Sequence, residues 1–155
     1  MPSTEPSATG TVEINAPPEA VYALITDLRV MSELAEETAV MRWQDGASAA
    51  TPGAIFKGTN RNGWRRWTTK CRVTDAEPGR RFAFDVSHTR VPISRWQYDL
   101  AATDTGCTVT ESTWDRRPAW FKTPAGLVTG VMNRTGANTA HIDATLRRLK
   151  ARAEA

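Results

Sequence analysis

Between residues 38 and 115 the chain reads as six consecutive segments in which apolar and polar side chains alternate, each parted from the next by a turn signal. Alternation with period two is what a strand needs when one face is buried and the other is wet. The segments are 38–44, 54–60, 65–76, 81–87, 93–102 and 107–115. Asn62-Gly63 is a primed hairpin signal, Glu77-Pro78-Gly79 and Asp104 to Gly106 turn the chain, and Pro92 opens the fifth segment. Links this short make each strand the antiparallel neighbour of the last. A further strand lies upstream, where TVEINAP alternates and then stops at Pro17.

Antiparallel neighbours share a face, so the turns fix which residues point the same way. The expected pairs are Leu100 with Val109, Tyr98 with Glu111, Trp96 with Thr113, Phe84 with Trp96, and Phe82 with Tyr98. Val73 then meets Phe84, Cys71 meets Val86, Trp67 meets Gly58 and Thr69 meets Phe56. One face therefore carries Phe56, Gly58, Asn60, Trp67, Thr69, Cys71, Val73, Phe82, Phe84, Val86, Trp96, Tyr98, Leu100, Val109, Glu111 and Thr113. The other carries Arg66, Thr68, Lys70, Arg72, Arg81, Asp85, Arg95, Gln97, Asp99, Thr110 and Ser112.

This division settles how to read WRRWTTKCRV (64–73), where cations and tryptophans interleave as they do on nucleic-acid-binding surfaces. Nine basic residues fall between Arg61 and Arg95, but the acidic members of the same face break up any single-sign stripe. Twenty Lys and Arg against seventeen Asp and Glu leave a net charge of only +3. The expectation is a solvated mixed-charge face and no nucleic-acid partner.

The remaining segments supply helices. In PPEAVYALITDL, Pro18 and Glu19 suit a first helical turn, and Ala20, Leu24 and Leu28 recur at helical spacing. Residues 29–34 form a second short helix. After a stretch broken by Pro118 and Pro124, the chain ends in a long amphipathic pattern with Ile142, Leu146, Leu149 and Ala153 on one face. The order is strand, two helices, six-strand meander, long helix. That is an α+β single domain over 10–155 behind a small polar tail, 1–9, expected to fray. The last helix is the long apolar element available to cover the sheet. Two cysteines, Cys71 and Cys107, are too few for a disulfide framework and point to reduced thiols in a cytoplasmic protein. No apolar run reaches membrane-spanning length, so no stable membrane insertion is expected.

The stretches APPEAVYALITDL, PGAIFKGTNRNG, RWTTKCRVTDAEPGRRFAFDV, SRWQYDL and GCTVTESTW resemble the START-like (SRPBCC, helix-grip) superfamily, in particular its bacterial polyketide cyclase/dehydrase and lipid-transport group. The resemblance runs over residues 10–153. It implies a curved seven-stranded antiparallel sheet wrapped around the C-terminal helix, with a ligand cavity between them. It implies no fixed catalytic signature, because the superfamily mixes cyclases, lipid carriers and hormone receptors.

The inner face is too polar for a simple core, since Asn60, Thr69, Tyr98, Glu111 and Thr113 interrupt it; such a pattern suits a cavity. The expected ligand-contacting residues are Phe56, Asn60, Trp67, Thr69, Cys71, Phe82, Phe84, Trp96, Tyr98, Glu111 and Thr113. The aromatics would form a wall suited to planar or lipid-like hydrophobic molecules. Glu111, with Tyr98 opposite, is the candidate acid or base for a cyclisation or dehydration, because a carboxyl on an apolar face has its charged form disfavoured. Asn60 is a candidate donor to a ketone. His88 and His141 stand isolated, Cys71 reads as a small apolar filler, and no metal or other cofactor is expected. RRPAWF (116–121) reads as a packed loop, with a cavity lid or a membrane-touching edge as the other possibility. Three functions fit: a carrier or sensor of a small hydrophobic molecule, a polyketide cyclase or dehydratase, and a protein-interaction domain with a filled core.

Overall fold

In a computed structural model the described residues are 4–35, 38–129 and 134–155. Among them seven strands form one antiparallel sheet: β1 (Ala8–Ile14), β2 (Thr38–Gln44), β3 (Ile55–Asn62), β4 (Arg65–Glu77), β5 (Arg81–His88), β6 (Val91–Ala102) and β7 (Cys107–Asp115). The order across the sheet is β1-β7-β6-β5-β4-β3-β2. The meander therefore runs from one edge to β7, and β1 closes the other edge. Helices α1 (Pro18–Ile25) and α2 (Leu28–Leu34) carry the chain between the two edges. Helices α3 (Ala119–Thr129) and α4 (Arg134–Ala153) complete a helix-grip α+β fold in which the long last helix lies in the concave side of the sheet.

Pairing follows the expected parity. Tyr98 faces Glu111, Trp96 faces Thr113, Phe84 faces Trp96 and Val73 faces Phe84. The β3–β4 hairpin differs by two residues, with Asn60 opposite Trp67 and Gly58 opposite Thr69. Its two loop residues are Gly63 and Trp64, not Asn62 and Gly63, and of these only Gly63 has positive φ (63°). That is the type II′ arrangement, with glycine in the first loop position. A slip of two keeps every side chain on its face. The register shifts between Val73 and Asp75 and between Val86 and Ser87, the kind of interruption by which strands bend.

Across β4 to β6 the convex face is a mixed-charge lattice, while β2 to β4 set Arg42 opposite Lys57 and Lys57 opposite Lys70. Arg95 reaches Asp75 at 3.1 Å and Asp85 at 3.5 Å, and Arg81 holds Asp99 at 2.7 Å. Ser112 departs from the expected wet face: it is buried where Thr9 of β1 covers it, their hydroxyls 3.0 Å apart. β1 begins at Ala8, within the tail expected to fray. Ser7 donates its backbone N–H to the Thr113 carbonyl, and Trp114 Nε1 donates to the Thr4 carbonyl. Residues 1–3 of that tail lie outside the described residues.

In α1 the buried side chains are Val21 and Ile25, one position round from the expected Ala20 and Leu24. Both stripes are apolar, and packing against α4 and the central strands β5 and β6 selects between them. In α4, Ile142, Leu146 and Leu149 are buried as the pattern requires. The stretch after β7 was expected to be irregular, yet α3 forms around Pro124, with Phe121 donating its N–H to the Pro118 carbonyl at its start. Pro118 lies just ahead of the helix, where it is tolerated, and Pro124 removes one internal hydrogen bond.

The seat of α4 depends on Gly10. A Cβ at that position would stand 2.7 Å from Ile142 Cγ2. Gly10→Ala should lower stability in thermal or urea denaturation by about 1–3 kcal/mol, the usual cost of overpacking. Adding Ile142→Leu, which removes the branch methyl, should recover part of that loss.

Candidate functional site

Between the sheet and the helices lies a cavity of about 270 Å³. The sheet contributes most of its wall. Trp43, Phe56, Phe84 and Phe82 form a chain of ring contacts, with centroid separations of 5.6, 5.1 and 5.5 Å. Phe56, Phe84, Trp67 and Trp96 border the cavity. Trp96 is steadied by its own Nε1, which donates to Ser94 Oγ at 3.1 Å. The period-two pattern is what puts these rings on one side.

Nine of the expected ligand contacts line the cavity: Phe56, Asn60, Trp67, Thr69, Cys71, Phe84, Trp96, Tyr98 and Glu111. Two do not. Phe82 is wholly buried behind Phe84, and Thr113 is wholly buried with its hydroxyl donating to the Arg95 carbonyl at 2.9 Å. Parity placed both on the right face, but depth within the wall depends on what α1 and α4 cover.

The polar wall residues fall into two groups. In the first, the Thr38 hydroxyl donates to Asn60 Oδ1 (2.9 Å), and Asn60 Nδ2 donates to Thr69 Oγ1 (3.1 Å). The Thr69 hydroxyl in turn bonds to Cys71. This line ties β2, β3 and β4 together, so Asn60 is a bracing residue before it is a donor to any ketone. Burial pushes the Cys71 thiol up to about 12, against the Thr69 hydrogen bond, and it is no nucleophile at neutral pH.

The second group is Glu111 with Tyr98. The Tyr98 hydroxyl donates to Glu111 Oε2 at 2.8 Å, and the Glu111 side chain is only 2% exposed. Its other oxygen, Oε1, is the one fully buried side-chain N or O atom without a hydrogen-bond partner among the described residues. Burial pushes the carboxyl up to about 8, and the Tyr98 hydrogen bond opposes this only in part. Burial and the neighbouring carboxyl push the Tyr98 phenol well above its usual range. At neutral pH the pair is a neutral acid beside a neutral phenol.

The helices supply walls that the sheet pattern alone does not reveal. Met31 and Ala35 come from the α2 end, and Phe121, Ala125 and Val128 from α3. Asn138, His141 and Thr145 come from α4. Those three recur at positions i, i+3 and i+7, a polar stripe beside Ile142 that helical spacing makes legible. Asp115 and Arg117 sit at the rim, joined by Arg117 Nη2 donating to Oδ2 at 2.8 Å. Burial raises the Asp115 carboxyl, but the Arg117 hydrogen bonds outweigh it and hold the carboxyl below its usual range. His88 also borders the cavity and hydrogen-bonds the Thr68 carbonyl through Nδ1 at 2.6 Å. RRPAWF thus becomes the cavity-facing Phe121 and an exposed Trp120 on α3, not a packed loop. Among the described residues no three His, Cys, Asp or Glu side chains converge as metal ligands, and no helix is long and apolar enough to cross a membrane.

Glu111 makes folding pH-dependent. The unfolded chain releases this proton near the ordinary carboxylate value, about 4.3, and the folded chain near 8. Between those values only the folded state keeps the proton. The Glu111 contribution is therefore fully present below about pH 4.3 and is lost as pH rises toward 8, at up to about 1.4 kcal/mol per pH unit. Denaturant melts of the native chain and of Glu111→Gln should diverge over that window, the variant gaining relative stability as pH rises. Parallel curves would contradict the burial.

A model of the family described as polyketide cyclase / dehydrase and lipid transport matches residues 5–154. Comparison with curated protein sequences finds no match. Among solved structures, protein CV1439 from Chromobacterium violaceum superposes with a TM-score of 0.71 at 15% identity, over 95% of this chain and 96% of that one. The polyketide cyclase-like protein Cgl2372 from Corynebacterium glutamicum gives 0.62 at 25% identity, over 96% and 91%. The di-domain ARO/CYC StfQ of the steffimycin biosynthetic pathway gives 0.72 at 14% identity, over 94% of this chain and 49% of StfQ. This chain spans about half of StfQ.

Proposed function

The chain belongs to the polyketide cyclase/dehydrase and lipid-transport family, and we propose that it acts by holding a small, largely apolar molecule between the sheet and α4, as a carrier or sensor. The observation that carries this reading is the aromatic-walled cavity. Its volume of about 270 Å³ is near the small end of ligand pockets, which run from about 300 to 1,000 Å³. A packed core of this size would have closed over that space, which weighs against a filled interaction domain. Flat rings at Trp67, Trp96 and Phe84 suit a planar or lipid-like ligand. The cytoplasm remains the proposed location, since the buried thiols carry no disulfide.

Tryptophan fluorescence tests it. Titration with planar aromatic and fatty-acyl ligands should give a saturable change. Trp67→Phe and Trp96→Phe should remove most of that signal, while Trp64→Phe and Trp120→Phe, at exposed positions, should leave it. Silence across a broad panel would overturn the proposal.

A second reading, catalysis of a cyclisation or dehydration on a polyketone-like substrate, is favoured by one observation. Glu111 is a cavity carboxyl held near 8 with a phenol bonded to it, and a group poised near the working pH can pass a proton in either direction. Glu111→Gln keeps the shape and removes the titrating proton. In a catalyst it should lower turnover by about 10²-fold or more with binding within a few-fold. In a carrier there is no turnover to lose, and affinity should stay within a hydrogen bond's worth, about 0.5–1.5 kcal/mol.

A further inference from the structure

We infer that Glu111 selects among apolar ligands of similar shape, its Oε1 donating a hydrogen bond to an uncharged acceptor oxygen, a carbonyl above all, on the molecule in the cavity. The inference rests on the cavity-binding reading and adds to it the chemistry of one atom.

The geometry assigns the two oxygens different tasks. Oε2 accepts from the Tyr98 hydroxyl at 2.8 Å, so the phenol proton is already committed there. Oε1 has no protein partner, although it is sealed from solvent in the wall of the cavity. A buried polar atom left unpaired costs free energy, and a ligand group that pairs with it recovers that cost. The last side-chain torsion of a glutamate is broad and soft, so a small turn presents Oε1 to the cavity. A neutral carboxyl has one proton to donate, and with Oε2 accepting, that proton belongs on Oε1. The partner it requires is an acceptor.

Three donors on the sheet wall are committed elsewhere. The Thr38 hydroxyl serves Asn60, the Asn60 amide serves Thr69, and the Trp96 indole serves Ser94. Among the described residues, the raised proton affinity of Glu111 comes from burial, opposed by the Tyr98 hydrogen bond. β1 presents Gly10 beside it, which has no side chain. The other titratable groups on the cavity wall are Cys71 on β4, His88 on β5, Asp115 on β7, Arg117 beyond it, and Arg134 and His141 on α4. Asp115 and Arg117 bond to each other. Loss of the Oε1 proton at higher pH turns the donor into an anion, which repels a carbonyl oxygen.

Two probes of one shape test the inference: 2-acetylnaphthalene, with a ketone, and 2-ethylnaphthalene, without. Affinities are read by tryptophan quenching at about pH 7 and about pH 9.5, for the native chain, Glu111→Gln and Glu111→Leu. The quantity compared is the ratio of ketone to hydrocarbon affinity. At about pH 7 the native ratio should exceed that of Glu111→Leu by about 3- to 10-fold, one hydrogen bond's worth. It should fall to the Glu111→Leu value at about pH 9.5. Glu111→Gln should keep the high ratio at both pH values, because its amide N–H donates without titrating. If Glu111→Leu shows no cooperative melt, the native pH series and Glu111→Gln decide. A native ratio that does not change with pH, or that survives in Glu111→Leu, overturns the inference and leaves cavity binding standing. Failure of both probes to bind the native chain overturns cavity binding and this inference together.

Discussion

The seating of α4 against β1 is the contact on which the rest of the molecule depends. β1 is an edge strand, and at Gly10 it offers a bare backbone to Ile142. That lets the helix lie close to the sheet along one side only. Gly10 pairs with Glu111 of β7, so the contact that docks the helix also walls the carboxyl away from water. Farther across the sheet the helix and strands diverge, and the space between them is the cavity. Closed packing at one edge and open space beyond it are two consequences of the same placement.

Within that space the polar groups divide by purpose. Thr38, Asn60, Thr69 and Cys71 satisfy one another across three strands, as buried polar groups must where water is excluded. Such a line braces the sheet and has little left for a ligand. Glu111 is different because half of its carboxyl is satisfied by Tyr98 and half is not. A neutral acid held in an apolar wall is costly to keep and specific in what it accepts. With the Asn138, His141 and Thr145 stripe of α4, it separates this cavity from a greasy pocket.

Much of the fold was legible because period two survives errors of register. The β3–β4 pairing was displaced by two residues, yet Trp67 and Thr69 kept their face. The mixed charges read along β4 to β6 do meet across the strands, where Arg81 and Arg95 bond to Asp99 and Asp75. What was not legible depends on contacts distant in sequence. Pro118 and Pro124 disguised α3, which begins just after the first and continues through the second at the loss of one internal hydrogen bond. Phe82 and Thr113 share a face with Phe84 and Glu111, but only the covering helices decide which residues reach the cavity. The polar stripe Asn138, His141 and Thr145 had helical spacing in plain view and was masked by its apolar neighbours. The commitment of Asn60 to Thr38 and Thr69 could not be read before the strands were in register.

The chemistry of the cavity turns on a carboxyl kept neutral by burial. Its most direct test is a carbon-13 NMR titration of the Glu111 side-chain carboxyl in the folded protein, assigned with Glu111→Gln. A midpoint near 8 is expected. A midpoint near 4.3, the value of a carboxylate in water, would contradict it.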